Sequence, residues 1–343
     1  MPSSRSTSRS ASGPSPLQIY EELMNFAWRG LALGAAVELE LFSHIAAGKT
    51  GAAQIAGAAG ASEHGTRRLL DALCGMGYLK KAAKNYRLQP GAAEYLVRGK
   101  PLYMGDAALI GKMLIGPWSM LAESVKSGRP FQAGATAEER AAFFSKLVPA
   151  IFPASFLSAT AAVKRLPAAA RRKIGRILDI GAGAAPWSIP FARALKRAHV
   201  TVADYPAVAQ VARQYAERWG VADRFDYLEG DFRELDFGTG YDLAILGHIV
   251  HGEGADWGRR LLRRICDALG DGGMLLIGEF VPNDDRSGPA AALLFGFNML
   301  INTPVGDVFT MREYRGWLKE AGFSKMTALA APEHVSPLIL ATK

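Results

Sequence analysis

The chain predicts an α/β protein, with a doubly wound parallel sheet in its C-terminal half and a mostly helical winged-helix module ahead of it. Three observations predict this. From residue 174 onward, short β-rich runs (IGRILDIGAG, HVTVADYP, FDYLEGDF, YDLAILGH and GMLLIGEF) alternate with helix-length segments, which is the pattern of strand–helix–strand units. Residues 16–100 instead place apolar side chains at helical spacing and contain one hairpin-like stretch. A glycine loop, LDIGAGAAP, stands where the first strand of the alternating half runs into its first helix.

Composition sets the outer limits. The 343 residues are 49% hydrophobic and 21% charged, ordinary for a globular chain and long enough for two domains. No window approaches eighteen uninterrupted apolar residues, so no membrane span or membrane partner is expected. Residues 1–15, MPSSRSTSRSASGPS, lack the apolar stretch of a secretory signal and predict a disordered tail. Cys74 and Cys266 each sit in a helix-like pattern, which fits two core thiols in a reducing cytoplasm. The net charge of +8 is scattered over short pairs, such as Lys80–Lys81 and Arg171–Arg172, that suit solvated helix faces. Direct nucleic-acid binding is therefore not expected.

Taken in order, residues 16–100 begin with PLQIYEELMNFAWRGLALGAAVEL, apolar at helical spacing, and continue through two short helices separated by glycine turns. Ser62 is placed to cap the next helix, with Gly75 and Gly77 ending it. A hairpin follows, with Tyr78–Leu79 and Tyr86–Leu88 around a turn at Lys84–Asn85. Helices plus hairpin make a winged helix, but its central helix turns apolar after Arg67 and Arg68, which suits a protein interface better than a DNA groove. Residues 101–170 read as a helical linker rich in aromatics and Met, including Met113, Trp118, Phe131 and Phe152. Such residues are core in most helices, yet some can line an apolar substrate pocket. Residues 171–343 form the sheet domain.

In that domain Asp179, Gly181 and Gly183 lie at the strand-to-helix turn, where glycines let backbone N–H groups approach a ligand. Pro186 stands where a full G-x-G-x-x-G would have its third glycine, so a dinucleotide reading stays open on the loop alone. Asp204 ends the second strand, placed for two ribose hydroxyls. Asp231 ends the third, placed for an adenine amino group, with Phe232 nearby to pack on the ring. As bare helix N-caps the two acids would need no ligand. After the fourth strand comes GHIVHGEG, which sets His248 and His251 three residues apart. These are a catalytic base, a pair of metal ligands, or a polar loop.

At these residues the chain resembles the class I S-adenosylmethionine-dependent O-methyltransferases, the caffeic acid and acetylserotonin type that includes bacterial natural-product tailoring enzymes. The resemblance runs from about residue 18 to 343 and rests on LDIGAG, ADYP, GDF, the histidine stretch, ALGDGGMLLIGEFVP and EYRGWLKEAGF. It implies a Rossmann-like, seven-stranded methyltransferase domain, and a winged helix that serves homodimerisation. It implies S-adenosyl-L-methionine as cofactor, held by Asp179, Gly181, Gly183, Asp204, Tyr205, Asp231, Phe232 and Gly247. It places the general base on His251 and the carboxylate that orients it on Glu279, both expected at strand ends of one sheet. No metal is expected, and Glu253 is expected to be a solvated loop acid. The chain departs from the family pattern twice. Gly252–Glu253 replaces the Asp-Trp that often follows the histidine, and Val308 stands where a second acid is common, with Asp307 adjacent.

The expected reaction is O-methylation of a hydroxylated aromatic or similar small molecule, in secondary metabolism. A phenol near pKa 10 needs a base that works near neutrality, which suits histidine. For the acceptor, Phe295, Asn298, Met299 and Asn302 recur at helical spacing, and His248, Met113, Trp118 and Phe152 join them as candidate lining. Carbon or nitrogen methylation on the same scaffold, including a metal-assisted form on keto acids, remains an alternative, as does a cofactor-sensing winged-helix regulator.

Overall fold

The computed structural model describes residues 13–130, 136–329 and 338–343. Most of the expected 1–15 tail, and Phe131, lie outside the described residues. The chain forms two compact units, Met1–Lys112 and Met113–Lys343.

The first unit contains α1 (Pro16–Met24), α2 (Trp28–Glu38), α3 (Leu41–Ala46), α4 (Ala52–Ala58), α5 (Glu63–Gly75), an antiparallel hairpin of β1 (Leu79–Ala82) and β2 (Asn85–Leu88), and α6 (Pro90–Tyr95). Ser62 caps α5 by accepting from the Gly65 N–H at 3.2 Å, as its position in the sequence predicts. Phe42, Ile55, Leu70, Leu73 and Tyr86 fill the core. Asp71 of α5 ties the hairpin down, accepting from Lys81 Nζ at 2.6 Å and the Tyr86 hydroxyl at 2.8 Å. By contrast, α1 buries none of its side chains. Leu17, Leu23, Phe26 and Trp28 are all exposed, an apolar surface larger than a lone chain ordinarily leaves in water. Helix α7 (Asp106–Ser119) runs across the division between the units.

The second unit opens with α8 (Leu121–Ser127), α9 (Ala137–Arg165) and α10 (Ala168–Lys173). By length and composition the Glu138–Arg165 stretch of α9 could cross a membrane, but 61% of its apolar window is buried inside the fold, as in a core helix. The sheet domain then runs β3 (Arg176–Ile180), α11 (Ser188–Ala194), β4 (His199–Asp204), α12 (Pro206–Arg218), β5 (Phe225–Glu229), β6 (Tyr241–Gly247), α13 (Val250–Ala268), β7 (Leu269–Gly278), α14 (Ala290–Asn302), α15 (Met311–Ala321), β8 (Lys325–Leu329) and β9 (Leu338–Thr342). Seven strands lie in the order β5-β4-β3-β6-β7-β9-β8, parallel except for the pairings of β9 with β7 and β8. Strands β3 and β6 are almost wholly buried, as expected of a parallel sheet covered on both faces. The order reverses between β3 and β6, and in open α/β sheets ligands bind beyond the carboxyl ends of strands at such a switch point.

Candidate active site

The loop after β3 takes the left-handed conformation at every second residue, with φ of 61° at Gly181, 60° at Gly183 and 56° at Ala185. The positive φ at Gly181 favours glycine, and a Cβ there would also displace the end of the Ile249 side chain, 2.3 Å away at Cδ1. The third turn falls on Ala185, not Pro186.

Three carboxyls gather at this end of the sheet. Asp204 at the end of β4 accepts the Gly183 N–H at 2.8 Å on one oxygen and the Tyr205 N–H at 2.7 Å on the other. Each oxygen keeps a lone pair for a further donor. Burial pushes its carboxyl up to about 6, and the charge of Asp231 adds to this. Asp179 is 1% exposed, its Oδ2 has no hydrogen-bond partner, and burial pushes it up to about 7, with the charge of Asp204 contributing. Asp231 accepts from the Tyr205 hydroxyl at 3.2 Å and from Arg233 Nη1 at 3.4 Å. Phe232, expected to pack on a ligand ring, is 8% exposed and edge-on to Trp257, and its Cε1 would lie 3.8 Å from a Cβ on Gly181.

The two histidines sit beyond β6. The His248 N–H donates to the Gly278 carbonyl at 2.8 Å, which extends the β6–β7 ladder by one step, and its φ is 64°. His251 belongs not to a strand end but to the first turn of α13. Its Nδ1 lies 2.7 Å from Glu279 Oε2, and its backbone N–H donates to Oε1 at 3.3 Å. Glu279 follows β7 directly and is 1% exposed. Burial alone would raise its pKa, but the His251 ring and its hydrogen bonds outweigh burial and hold the carboxyl below the usual range. Glu279 is therefore ionised and can only accept, so the His251 proton resides on Nδ1 and its lone pair on Nε2. His248 Nδ1 is 3.9 Å from the same carboxylate oxygen, yet burial drives its imidazole down to about 4 and keeps it neutral. His248, His251 and Glu279 present ligand atoms within 4.8 Å of one another, the set here that could hold a metal ion.

Several other expected residues meet at this site. Phe295 of α14 stands edge-on to His251 at 4.8 Å and stacks on Phe280 at 3.9 Å. Asn298 accepts from Trp118 Nε1 at 3.2 Å and from Asn302 Nδ2 at 3.1 Å, and Met299 is buried nearby on the same helix. Phe152 and Met113 are not brought to it. Phe152 is 1% exposed and packs on Tyr215 and Trp219, because its face of α9 turns toward α12, and Met113 is exposed. Glu253 is not a solvated acid. It makes a two-pronged ion pair with Arg233 at 2.9 and 3.0 Å. Asp307 meets His251 through its backbone N–H, 2.9 Å from the His251 carbonyl, while its carboxylate accepts from the Val308 N–H at 2.7 Å.

Two side chains at the site escaped sequence reasoning. Trp187 covers the ends of β6 and β7 so closely that a Cβ on Gly247 or Gly278 would lie 2.1 or 2.2 Å from its ring. Its position just after the glycine loop was a usable signal. Phe280, next to Glu279, contacts His248 at 5.0 Å and Phe295 at 3.9 Å.

Comparison with known proteins adds a second line of observation. The O-methyltransferase domain model matches residues 118–324, and the O-methyltransferase dimerisation domain model matches 21–98. The chain is 30% identical over 307 residues to the 3-hydroxy-5-methyl-1-naphthoate 3-O-methyltransferase of Streptomyces sahachiroi, covering 89% of each. It is also 30% identical to the tetracenomycin polyketide synthesis 8-O-methyl transferase of Streptomyces glaucescens, covering 88% of this chain and 90% of the relative. Among solved structures it matches human N-acetylserotonin methyltransferase in complex with S-adenosylmethionine, with a TM-score of 0.81 at 25% identity over 97% of this chain and 99% of that one.

Proposed function

The chain belongs to the O-methyltransferase family, and from that premise we propose that it methylates a hydroxyl group on an aromatic small molecule, with His251 as general base and Glu279 as the group that orients it. The chain is an S-adenosyl-L-methionine-dependent methyltransferase. The finer assignments, namely the acceptor class and the residue roles, are the proposal. The relatives' names support oxygen as the acceptor atom and not carbon or nitrogen, and they support catalysis and not sensing. A homodimer formed through residues 21–98 completes the proposal, supported by the dimerisation-domain match and by the exposed apolar surface of α1 and α2.

The residues at the switch point fit the cofactor. The loop Gly181–Ala185 turns in the left-handed region at Gly181, Gly183 and Ala185 beyond the end of β3. Asp179 and Asp204 are buried carboxyls whose charged neighbours are other carboxylates, an environment that favours a cationic ligand. Asp179, Gly181, Gly183, Asp204, Tyr205 and Asp231 are the residues proposed to hold it. When bound, S-adenosyl-L-methionine supplies an electrophilic methyl group on a sulfonium sulfur.

The protein's own part in the reaction is to manage a proton. With Nδ1–H donated to Glu279, the Nε2 lone pair of His251 is the basic site available to an acceptor hydroxyl. The buried carboxylate then stabilises the imidazolium that forms once the proton has moved. Phe280 and Phe295 form an apolar wall around the ring that keeps water from competing for Nε2 and offers flat surfaces to an aromatic acceptor.

The observation that carries this reading is the 2.7 Å contact between His251 Nδ1 and the buried Glu279 carboxylate. The test is turnover of hydroxylated aromatics with labelled S-adenosyl-L-methionine. His251→Ala should lower kcat by about 10²–10⁴-fold, as loss of a general base does, while S-adenosylhomocysteine affinity stays within a few-fold. Unchanged kcat in His251→Ala would sink the assignment.

A further inference from the structure

His251 lies on an unusually short support. The turn Val250–Glu253 is separated from the rest of α13 by Gly254, whose φ of 75° and ψ of 168° break the helix. A Cβ there would lie 2.7 Å from the Val305 carbonyl oxygen, so the break is built in. One turn of helix does not hold itself in place, because nucleation fixes several residues for a single hydrogen bond. Groups outside the turn must therefore set the direction of the His251 ring. Glu279 is one, and the Asp307 N–H on the His251 carbonyl is another.

The third is Arg233. Its Nε and Nη2 grip both oxygens of Glu253, two residues beyond His251, at 2.9 and 3.0 Å. The planar fork gives this pair a fixed orientation that a lysine could not reproduce. Glu253 is only 11% exposed and Arg233 33%, so water weakens the pair less than it would on an open surface. Arg233 is itself anchored, because its backbone N–H and its Nη1 both reach Asp231, at 3.0 and 3.4 Å. Its carbonyl accepts from Arg264 Nη1 at 2.9 Å. One guanidinium thus joins the acid assigned to the cofactor's adenine to the turn that carries the assigned base.

We propose that the Arg233–Glu253 pair is a positioning device for His251, setting the base in register with the cofactor site. It rests on the assignment of His251 as base, and it occupies the place where the family pattern more often has a tryptophan after the histidine–aspartate step. Positioning residues act through geometry, and displacement of a reacting group by about 1 Å can cost about 10²-fold in rate.

Kinetics, calorimetry and imidazole nitrogen NMR on the full-length protein test this. Glu253→Gln, which keeps the shape but loses the charge, should lower kcat about 10-fold, while acceptor KM and S-adenosylhomocysteine affinity stay within about 3-fold. Arg233→Lys should lower kcat comparably. In the cofactor-free protein, Glu253→Gln should broaden the His251 ring signals while leaving the thermal midpoint within a few degrees. In a His251→Ala background, Glu253→Gln should add nothing. If Glu253→Gln keeps wild-type kcat while His251→Ala is crippled, the positioning role is overturned and the base survives. If His251→Ala itself turns over normally, the base assignment falls and takes this role with it.

Discussion

Replacing Asp179 with Asn should make the cofactor-free protein gain stability on the wild type as pH rises, at the same time as it weakens cofactor binding. The carboxyl is 1% exposed, and burial raises it from an ordinary 3.8 to about 7. A raised folded-state pKa means that between about pH 4 and 7 the native state holds a proton that the unfolded chain has released. The favourable contribution is therefore full below about 3.8 and is lost as pH rises to about 7. At about 1.4 kcal/mol per pH unit, the loss relative to a permanently neutral side chain grows by about 2–3 kcal/mol between pH 5 and pH 7 and then levels off. Asn has the same shape and no charge, but its amide also wants a partner, at a cost of about 1–3 kcal/mol that does not change with pH.

The informative quantity is thus the change in the stability gap between variant and wild type, in which the constant amide cost cancels. Urea unfolding of both proteins without cofactor, at pH 5 and pH 8, should show Asp179→Asn gaining about 2 kcal/mol on the wild type as pH rises. Calorimetry at pH 8 should show S-adenosylhomocysteine bound more weakly by the variant, since an ionised Asp179 is proposed to face a cationic ligand. A stability difference that stays constant from pH 5 to 8, or one that shifts in favour of the wild type, would refute the reasoning.

Two further outcomes follow from the geometry. Ala185, at φ 56° and fully buried, should tolerate Gly to within about 1 kcal/mol, whereas Ala185→Val, branched at Cβ in a left-handed turn, should cost about 3 kcal/mol or more in a chemical melt; equal stability of the two variants would count against the turn. Leu23→Glu with Phe26→Glu should convert a dimer to a monomer in light scattering at micromolar concentration, and a wild-type monomer under those conditions would remove the dimer proposal.

Features that depend on local sequence were legible. The five runs read as parallel strands are β3 to β7, since alternation of β-rich and helical segments follows directly from which faces must be buried. Asp179, Asp204 and Glu279 could be placed because each stands at or just beyond a strand end. The misses share a cause. Phe152 obeys helical spacing, but spacing does not say which face of α9 looks at the site and which at Trp219. Glu253 and Arg233 are twenty residues apart, and nothing local joins them, so an acid in a glycine-rich loop read as solvated. His251 was placed at a strand end, yet it sits one helical turn beyond, because the break at Gly254 hides a short turn inside what reads as loop.

The site's acids divide by what they face, and the division makes physical sense of the fold's chemistry. Glu279 and Asp179 are equally buried, at 1% exposure. Burial raises both, but Glu279 has His251 against it and ends up lowered, whereas burial of Asp179, with the like charge of Asp204, outweighs its hydrogen bonds with Ser188, and it ends up raised. Glu279 is compensated by a histidine, and Asp179 has no such partner. The compensated acid can remain ionised through a cycle in which its histidine gains and loses a proton, because each gain strengthens the pair. Asp179, without an oppositely charged neighbour, stores an electrostatic cost that a positively charged ligand relieves, so it favours a cation over a neutral molecule of the same shape. With Val308 where the family often has a second acid, Glu279 is the carboxylate that meets the His251 ring, at 2.7 Å. The direction of that ring then depends on one carboxylate and on whatever holds the short turn beneath it, which is why an ion pair two residues away, at Glu253, can matter to the chemistry.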